Sequence, residues 1–273
     1  MTTTPLVKLD EIYLKREDLN ITGSAKDRAL IKQIQNIKKE GLKNAVISST
    51  GNAAISALYF CQQNKIKLTI FVSPKINPTK LKLIKNKSSE IIQSDQPISD
   101  AFKFSKKNGA YFLRQSTDPQ ALLGYQSIGQ EILEQLPNIT SIFIPVGSGT
   151  TLLGISQSLP KTIKIFAVQP ANYYPVAQIF DTNFKPETES ITDALGVKFL
   201  PLKSKIINSI NSSNGSGLVI QNSEIQEVSE YLAKNNIITS NEGALALAGF
   251  YKATRNKFNI GKYPVILLTG AKR

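Results

Sequence analysis

The chain has 273 residues, 41% of them hydrophobic, and a formal net charge of +13. That length accommodates one large domain or two smaller ones sharing a cleft, and the composition excludes a disordered chain. It contains no histidine and a single cysteine, Cys61, which excludes Ser-His-Asp and Cys-His catalysis, histidine-based zinc sites and an internal disulfide framework.

The opening Met1-Thr2-Thr3-Thr4-Pro5 has no basic region followed by an apolar run, so it does not read as a secretory signal. Apolar stretches such as Val265–Leu268 are too short to span a bilayer, so no membrane partner is expected and the cytoplasm is the expected compartment. The positive charge is almost all lysine, spread from Lys8 to Lys272, with little arginine and no interleaved aromatics. Those features fit a solvated surface rather than a nucleic-acid interface.

The expected elements alternate along the chain. An extended run, Tyr13–Asp18, precedes a helix over Asp27–Glu40. Strands at Ala45–Ser49, Leu68–Ser73, Glu90–Gln93 and Tyr111–Arg114 interleave with helices at Ala53–Gln63, Thr79–Lys85 and Ser99–Lys107. There follow a helix at Leu122–Leu136, a strand at Ser141–Val146, a helix at Leu152–Leu159 and a strand at Lys164–Val168. Asn211–Gly217 reads as a low-complexity loop. Helices at Ser223–Lys234 and Glu242–Lys257 and a strand at Val265–Thr269 complete the pattern. Gly41, Gly109 and Gly261 follow helical patterns, as helix-ending glycines do. This order predicts an α/β protein with mostly parallel sheets.

Open α/β sheets bind ligands where strand ends meet helix starts, and four junctions carry unusual chemistry. In Gly23-Ser24-Ala25-Lys26-Asp27-Arg28, Lys26 falls in the first turn of a helix. A cation there opposes the helix dipole, and the same field favours the neutral amine that a Schiff base requires. An ordinary surface lysine is the competing reading. Ser48-Ser49-Thr50-Gly51-Asn52 offers N–H groups and hydroxyls at a helix start, suited to an anion or to simple capping. Gly147-Ser148-Gly149-Thr150-Thr151 has the glycines and hydroxyls of a phosphate cradle, with a tight turn as the alternative. No lysine follows it and Leu152 stands at the third glycine position, so neither nucleotide-binding pattern fits. Thr269 ends the last strand at the carboxyl edge of its sheet, where a threonine is often only packing.

Order and spacing together resemble the fold-type II pyridoxal-phosphate family of threonine synthase, threonine dehydratase and cysteine synthase. Thr4-Pro5-Leu6 resembles the opening TPL, Lys15–Asp18 the KxED segment, and Gly23–Arg28 the lysine motif GSFKDR, with Ala25 in place of Phe. Ser49-Thr50-Gly51-Asn52 resembles the STGN substrate loop of threonine synthases, Glu242–Gly249 the EGAxALAG helix, and Val265–Gly270 the ending VxLLTG. The glycine loop GSGTT is nearer the cysteine synthase type.

The resemblance implies two open, mostly parallel sheets flanked by helices in the tryptophan synthase beta-like architecture. It implies a larger cofactor-binding domain at 1–40 and 137–273 and a smaller substrate-loop domain at 41–136 that closes on substrate. Pyridoxal 5'-phosphate is the implied cofactor, with no metal. Lys26 would carry it as a Schiff base and move protons at the substrate's Cα and neighbouring carbons. Asn52 would bond its ring oxygen, Gly147, Ser148, Gly149 and Thr150 would hold its phosphate, and Thr269 would face the pyridine nitrogen. Ser49, Thr50 and Gly51 would hold the substrate carboxylate. A neutral partner leaves the ring nitrogen unprotonated, which suits elimination or replacement over transamination.

The implied function is elimination or replacement on a small amino acid by a threonine synthase-like lyase, with a homodimer as the implied assembly. Threonine synthase proper, serine/threonine dehydratase and cysteine synthase-like activity stay open. So does, from another class, a catalytically silent cofactor-binding protein, against which the intact Lys26, Asn52 and Thr269 argue. Threonine synthases read roughly S-x-N-P-x-R-x-x-G-x-K-T where this chain has Ser116–Ser127. Ser116, Pro119 and Gly124 keep the frame, but Ala121 and Gln126 replace the phosphate-gripping Arg and Lys, and Asp118 adds a negative charge. O-phosphohomoserine is therefore not the expected substrate, with Arg114 the nearest cation that could compensate.

Overall fold

Continuous runs of Val, Ile, Leu and Phe make strands buried on both faces, and such strands pair in parallel. The computed structural model describes residues 3–85, 89–193, 195–196 and 200–273; Met1 and Thr2 of the opening segment lie outside them. The chain forms two compact units, one of Lys26–Gly124 and one of the described residues up to Ala25 together with Tyr125–Arg273.

The first unit begins with α1 (Lys26–Lys39), whose buried Ala29, Leu30, Gln33, Ile34 and Ile37 form one helical stripe. Then come β3 (Asn44–Ser48), α2 (Asn52–Gln63), β4 (Lys67–Val72), α3 (Pro78–Ile84), β5 (Ser89–Gln93), α4 (Pro97–Asn108) and β6 (Tyr111–Phe112). The strands form a parallel sheet in the order β5-β4-β3-β6. Successive strands run outward from β3 to β5, then β6 returns to the other side of β3. The carboxyl ends of β3 and β6 therefore flank a topological switch point, where such sheets bind ligands. Gly109 ends α4 in the left-handed conformation, as expected.

The second unit opens with β1 (Leu6–Leu9) and β2 (Ile12–Arg16). Its later elements are β7 (Ser141–Pro145), α6 (Thr150–Ser158), β8 (Lys164–Pro170), α7 (Lys203–Ser212), β9 (Ser216–Ile220), α8 (Asn222–Lys234), α9 (Asn241–Arg255) and β10 (Pro264–Leu268). Helix α5 (Pro119–Gln135) runs from the first unit into the second. The sheet order is β1-β2-β10-β7-β8-β9, parallel except for β1. The last strand thus inserts between β2 and β7, a second switch point. Helix α9 covers this sheet with Ala244, Leu245, Ala246, Leu247 and Ala248, packed with Phe143, Phe166, Val168, Leu218 and Ile266. This is the expected class: two mostly parallel sheets flanked by helices.

Three readings of the sequence are corrected. Asn211–Gly217 is not a loop: its first two residues end α7, which buries Ile206 and Ile210, and its last two begin the fully buried β9. Gly261 does not end a helix, because α9 stops at Arg255 with Asn256 as its last cap. Tyr13–Asp18 is β2 only as far as Arg16; Glu17–Leu19 form a short 3-10 turn. Among the described residues no helix is long and apolar enough to cross a membrane.

Candidate active site

In the first unit, Lys26 is the first residue of α1 and is half-buried. Asp27 beside it is buried and accepts a hydrogen bond from the Ser56 hydroxyl of α2. That bond ties the first turn of the lysine's helix to the helix that begins at Asn52. Ser49, Thr50 and Gly51 form the turn from β3 into α2, all half-buried. Gly51 is the N-cap residue and no side chain caps the helix; the Gly51 N–H instead reaches Ser49 Oγ at 3.4 Å. Simple capping therefore does not account for this cluster of hydroxyls. The start of α2 therefore has no side-chain cap and lies at the switch point, a position at which helix N–H groups can bind an anion.

The neighbouring strand end carries Arg114–Asp118. Asp118 is fully engaged: its Oδ2 accepts from Gln33 Nε2 at 2.6 Å and from Tyr111 Oη at 2.7 Å, and its Oδ1 accepts from the Gln120 N–H at 2.9 Å. Burial, with Asp118 next, pushes the Tyr111 hydroxyl well above its ordinary value. The expected repulsive charge is thus a helix cap and a hydrogen-bond hub. Ala121 is completely buried and Gln126 donates to Gln157 at 2.9 Å. Arg114 Nε donates to Ser116 Oγ at 3.3 Å, and burial lowers its guanidinium from the ordinary value. Gly124 keeps its place in this frame for a steric reason: a Cβ there would lie 2.2 Å from the Arg28 carbonyl oxygen of α1.

In the second unit, Gly147 and Ser148 follow β7, and Gly149 and Thr150 open α6. Gly149 has φ +78°, and a Cβ on it would lie 2.0 Å from Ile206 Cδ1. Ser148 Oγ and Thr150 Oγ1 are 3.1 Å apart, so two hydroxyls and an uncapped helix start face the same space. That combination fits a phosphate: hydroxyl donors, free N–H groups, a helix dipole and no side chain in the way.

Thr269 follows β10, the strand beside β7, so it and the glycine loop lie at adjacent carboxyl ends. Its carbonyl accepts the Ala25 N–H at 3.0 Å, and Ala271 N–H reaches the Gly23 carbonyl at 2.8 Å. The residue immediately before Lys26 is therefore pinned to the residue expected to face a cofactor ring. The Thr269 side chain is half-buried. Ser240, which the sequence reading passed over, precedes α9, and its N–H donates to the Gly270 carbonyl at 2.7 Å. Its place just ahead of the Glu242–Gly249 motif was the available signal.

Each unit thus holds part of the expected set: Lys26 with Ser49–Asn52 in the first, Gly147–Thr150 with Thr269 in the second. A family model described as pyridoxal-phosphate dependent enzyme matches residues 1–270. An L-threonine ammonia-lyase of Thermotoga maritima is 33% identical over 171 residues, 59% of this chain and 42% of that protein. The catabolic L-threonine dehydratase TdcB of Escherichia coli is 24% identical over 278 residues, 95% of this chain and 82% of that protein. The chain spans less than half the length of the ammonia-lyases it matches, 42% in Thermotoga maritima and 49% in Geobacter sulfurreducens. Among solved structures, threonine deaminase isoform 2 from Solanum lycopersicum in its processed form superposes with a TM-score of 0.85 at 21% identity, covering 100% of this chain and 80% of that one. Maize serine racemase gives 0.87 at 19% identity, covering 100% and 90%. At such identities the likeness is one of fold. These relatives carry dehydratase, ammonia-lyase and racemase names, where the sequence motifs leaned towards threonine synthase.

Proposed function

The chain belongs to the pyridoxal-phosphate-dependent enzyme family, with pyridoxal phosphate as its cofactor, and we propose from that premise that it eliminates water from a small hydroxy amino acid, serine or threonine, after which hydrolysis by one water yields a 2-oxo acid and ammonia. When bound, the cofactor supplies the electron sink that lets a Cα proton leave and a β-hydroxyl depart. Lys26 would hold the cofactor covalently and, once displaced by the substrate amine, take the Cα proton. The hydroxyls of Ser49 and Thr50 and the N–H of Gly51, at the open start of α2, would orient the substrate carboxylate. Asn52 would steady the ring oxygen, and Gly147–Thr150 would hold the phosphate. Thr269 would be a neutral partner for the ring nitrogen, which would favour elimination over transamination.

The observation that carries the substrate class is that Ser116–Ala121 holds no cation and that its one carboxylate, Asp118, is already committed. Ala121 is buried, and Asp118 is occupied by Gln33, Tyr111 and Gln120. No cation stands at Ala121, where the threonine synthase frame places its phosphate-gripping Arg. A dianion would forgo a bidentate contact there, roughly a hundredfold in affinity. A second reading, threonine synthase proper acting on O-phosphohomoserine, draws on Ser49–Asn52 and Val265–Gly270. One assay separates them: kcat/KM for serine, threonine, O-acetylserine and O-phosphohomoserine, following 2-oxo acid and threonine formation. Serine or threonine should be preferred. Threonine formed from O-phosphohomoserine with the highest kcat/KM would establish the second reading instead.

A further inference from the structure

Ser240 is the N-cap residue of α9, where a serine ordinarily turns its oxygen onto the N–H of the second or third helical residue. Here it makes no such bond, and Ser240 Oγ is buried without a hydrogen-bond partner among the described residues. The backbone around it is nevertheless fixed. Ser240 N–H donates to the Gly270 carbonyl at 2.7 Å, and Thr239 Oγ1 donates to the same oxygen at 2.9 Å. On the other edge of that strand end, Ala25 N–H holds the Thr269 carbonyl at 3.0 Å. Thr269 thus sits between two anchored segments, with Ser240 on one flank. A hydroxyl held in place, buried and unspent calls for a partner that arrives later, because leaving it unpaired is unfavourable.

We propose that Ser240 is a second cofactor-facing hydroxyl, which donates to the ring edge of bound pyridoxal phosphate beside Thr269 and positions it. The proposal rests on the reading of Thr269 as the ring partner. It also deepens the account of reaction type. The start of α9 carries the positive end of a 15-residue helix, which disfavours a proton on a nearby ring nitrogen. A neutral hydroxyl on the same flank adds no counter-charge, so the unprotonated ring that suits elimination is kept.

The test compares full-length wild type with Ser240→Ala and Ser240→Gly, glycine being well tolerated at an N-cap. Each is stripped of cofactor, melted, then titrated with pyridoxal phosphate while the absorbance of the bound form is recorded. Losing one hydrogen bond should weaken cofactor binding about 5- to 10-fold and shift the bound absorbance, with apoprotein melting unchanged or higher. Binding within twofold of wild type in both variants overturns the role of Ser240 while leaving the family's cofactor untouched. Apoprotein melting that falls in both variants in step with the affinity also overturns it, since the hydroxyl would then serve the fold. A wild-type chain that takes up no pyridoxal phosphate overturns both the proposal and the reading beneath it.

Discussion

Gly149→Ala isolates the shape of the loop that opens α6. The residue adopts φ +78°, which costs an L side chain about 1–2 kcal/mol. The added Cβ would stand 2.0 Å from Ile206 Cδ1 and 2.8 Å from Cγ1. Ile206 is completely buried, so it has no open space to turn into. Overpacking of this kind adds about 1–3 kcal/mol, for a total of about 2–5 kcal/mol. Denaturant unfolding of the apoprotein would read the loss as a lower midpoint, and the displaced loop should also bind the cofactor more weakly. Ile206→Val removes Cδ1 and alone should cost about 0.5–1.5 kcal/mol. In the Gly149→Ala background it should instead recover stability, because the worst contact disappears. A Gly149→Ala protein within 0.5 kcal/mol of wild type, about the error of such a comparison, would refute the reasoning, as would a double variant with purely additive losses.

Three further outcomes follow from the same structure. Burial raises the Cys61 thiol from 9.0 to about 12, so it should resist thiol reagents at pH 8 in the native protein and react fully in denaturant. Its folded value is the higher one, so its contribution to stability is present below 9.0 and lost as pH rises towards 12; Cys61→Ala should flatten that alkaline decline in unfolding experiments. Lys252 is buried with Asp181 at 2.7 Å and also donates to the carbonyls of Asn183 and Val219; Lys252→Ala strands the carboxylate and should cost about 3–5 kcal/mol by thermal or denaturant unfolding. Thr269→Asp offers the ring nitrogen an acidic partner, so the bound cofactor's absorbance should change and elimination should slow by roughly tenfold or more; unchanged spectrum and rate would leave Thr269 as packing.

Much of the fold was legible because the parallel strands β3, β4, β7, β8 and β10 read as mainly apolar runs, the pattern that burial on both faces demands. What escaped notice was locally polar and rescued by distant partners. Lys15 lies completely buried in β2, satisfied by Glu131 at 2.7 Å and the Thr4 carbonyl at 2.8 Å; no window of sequence shows a partner 116 positions away. Helix α7 and strand β9 hid behind serine and asparagine, although Ile206 and Ile210 keep helical spacing. At the candidate site the sequence supplied residue types and order. It could not show that Asp118 would be consumed as a cap and hub, nor that Ser240 would decline to cap its own helix, because both depend on where neighbouring side chains settle.

The most direct measurement is borohydride reduction of the purified protein, expected to be yellow, followed by peptide mapping. The account predicts loss of the cofactor's visible absorbance and a single pyridoxyl-phosphate adduct on the peptide containing Lys26, with no adduct in Lys26→Ala. A stoichiometric adduct on another lysine, or a reducible cofactor at full occupancy in Lys26→Ala, would contradict it.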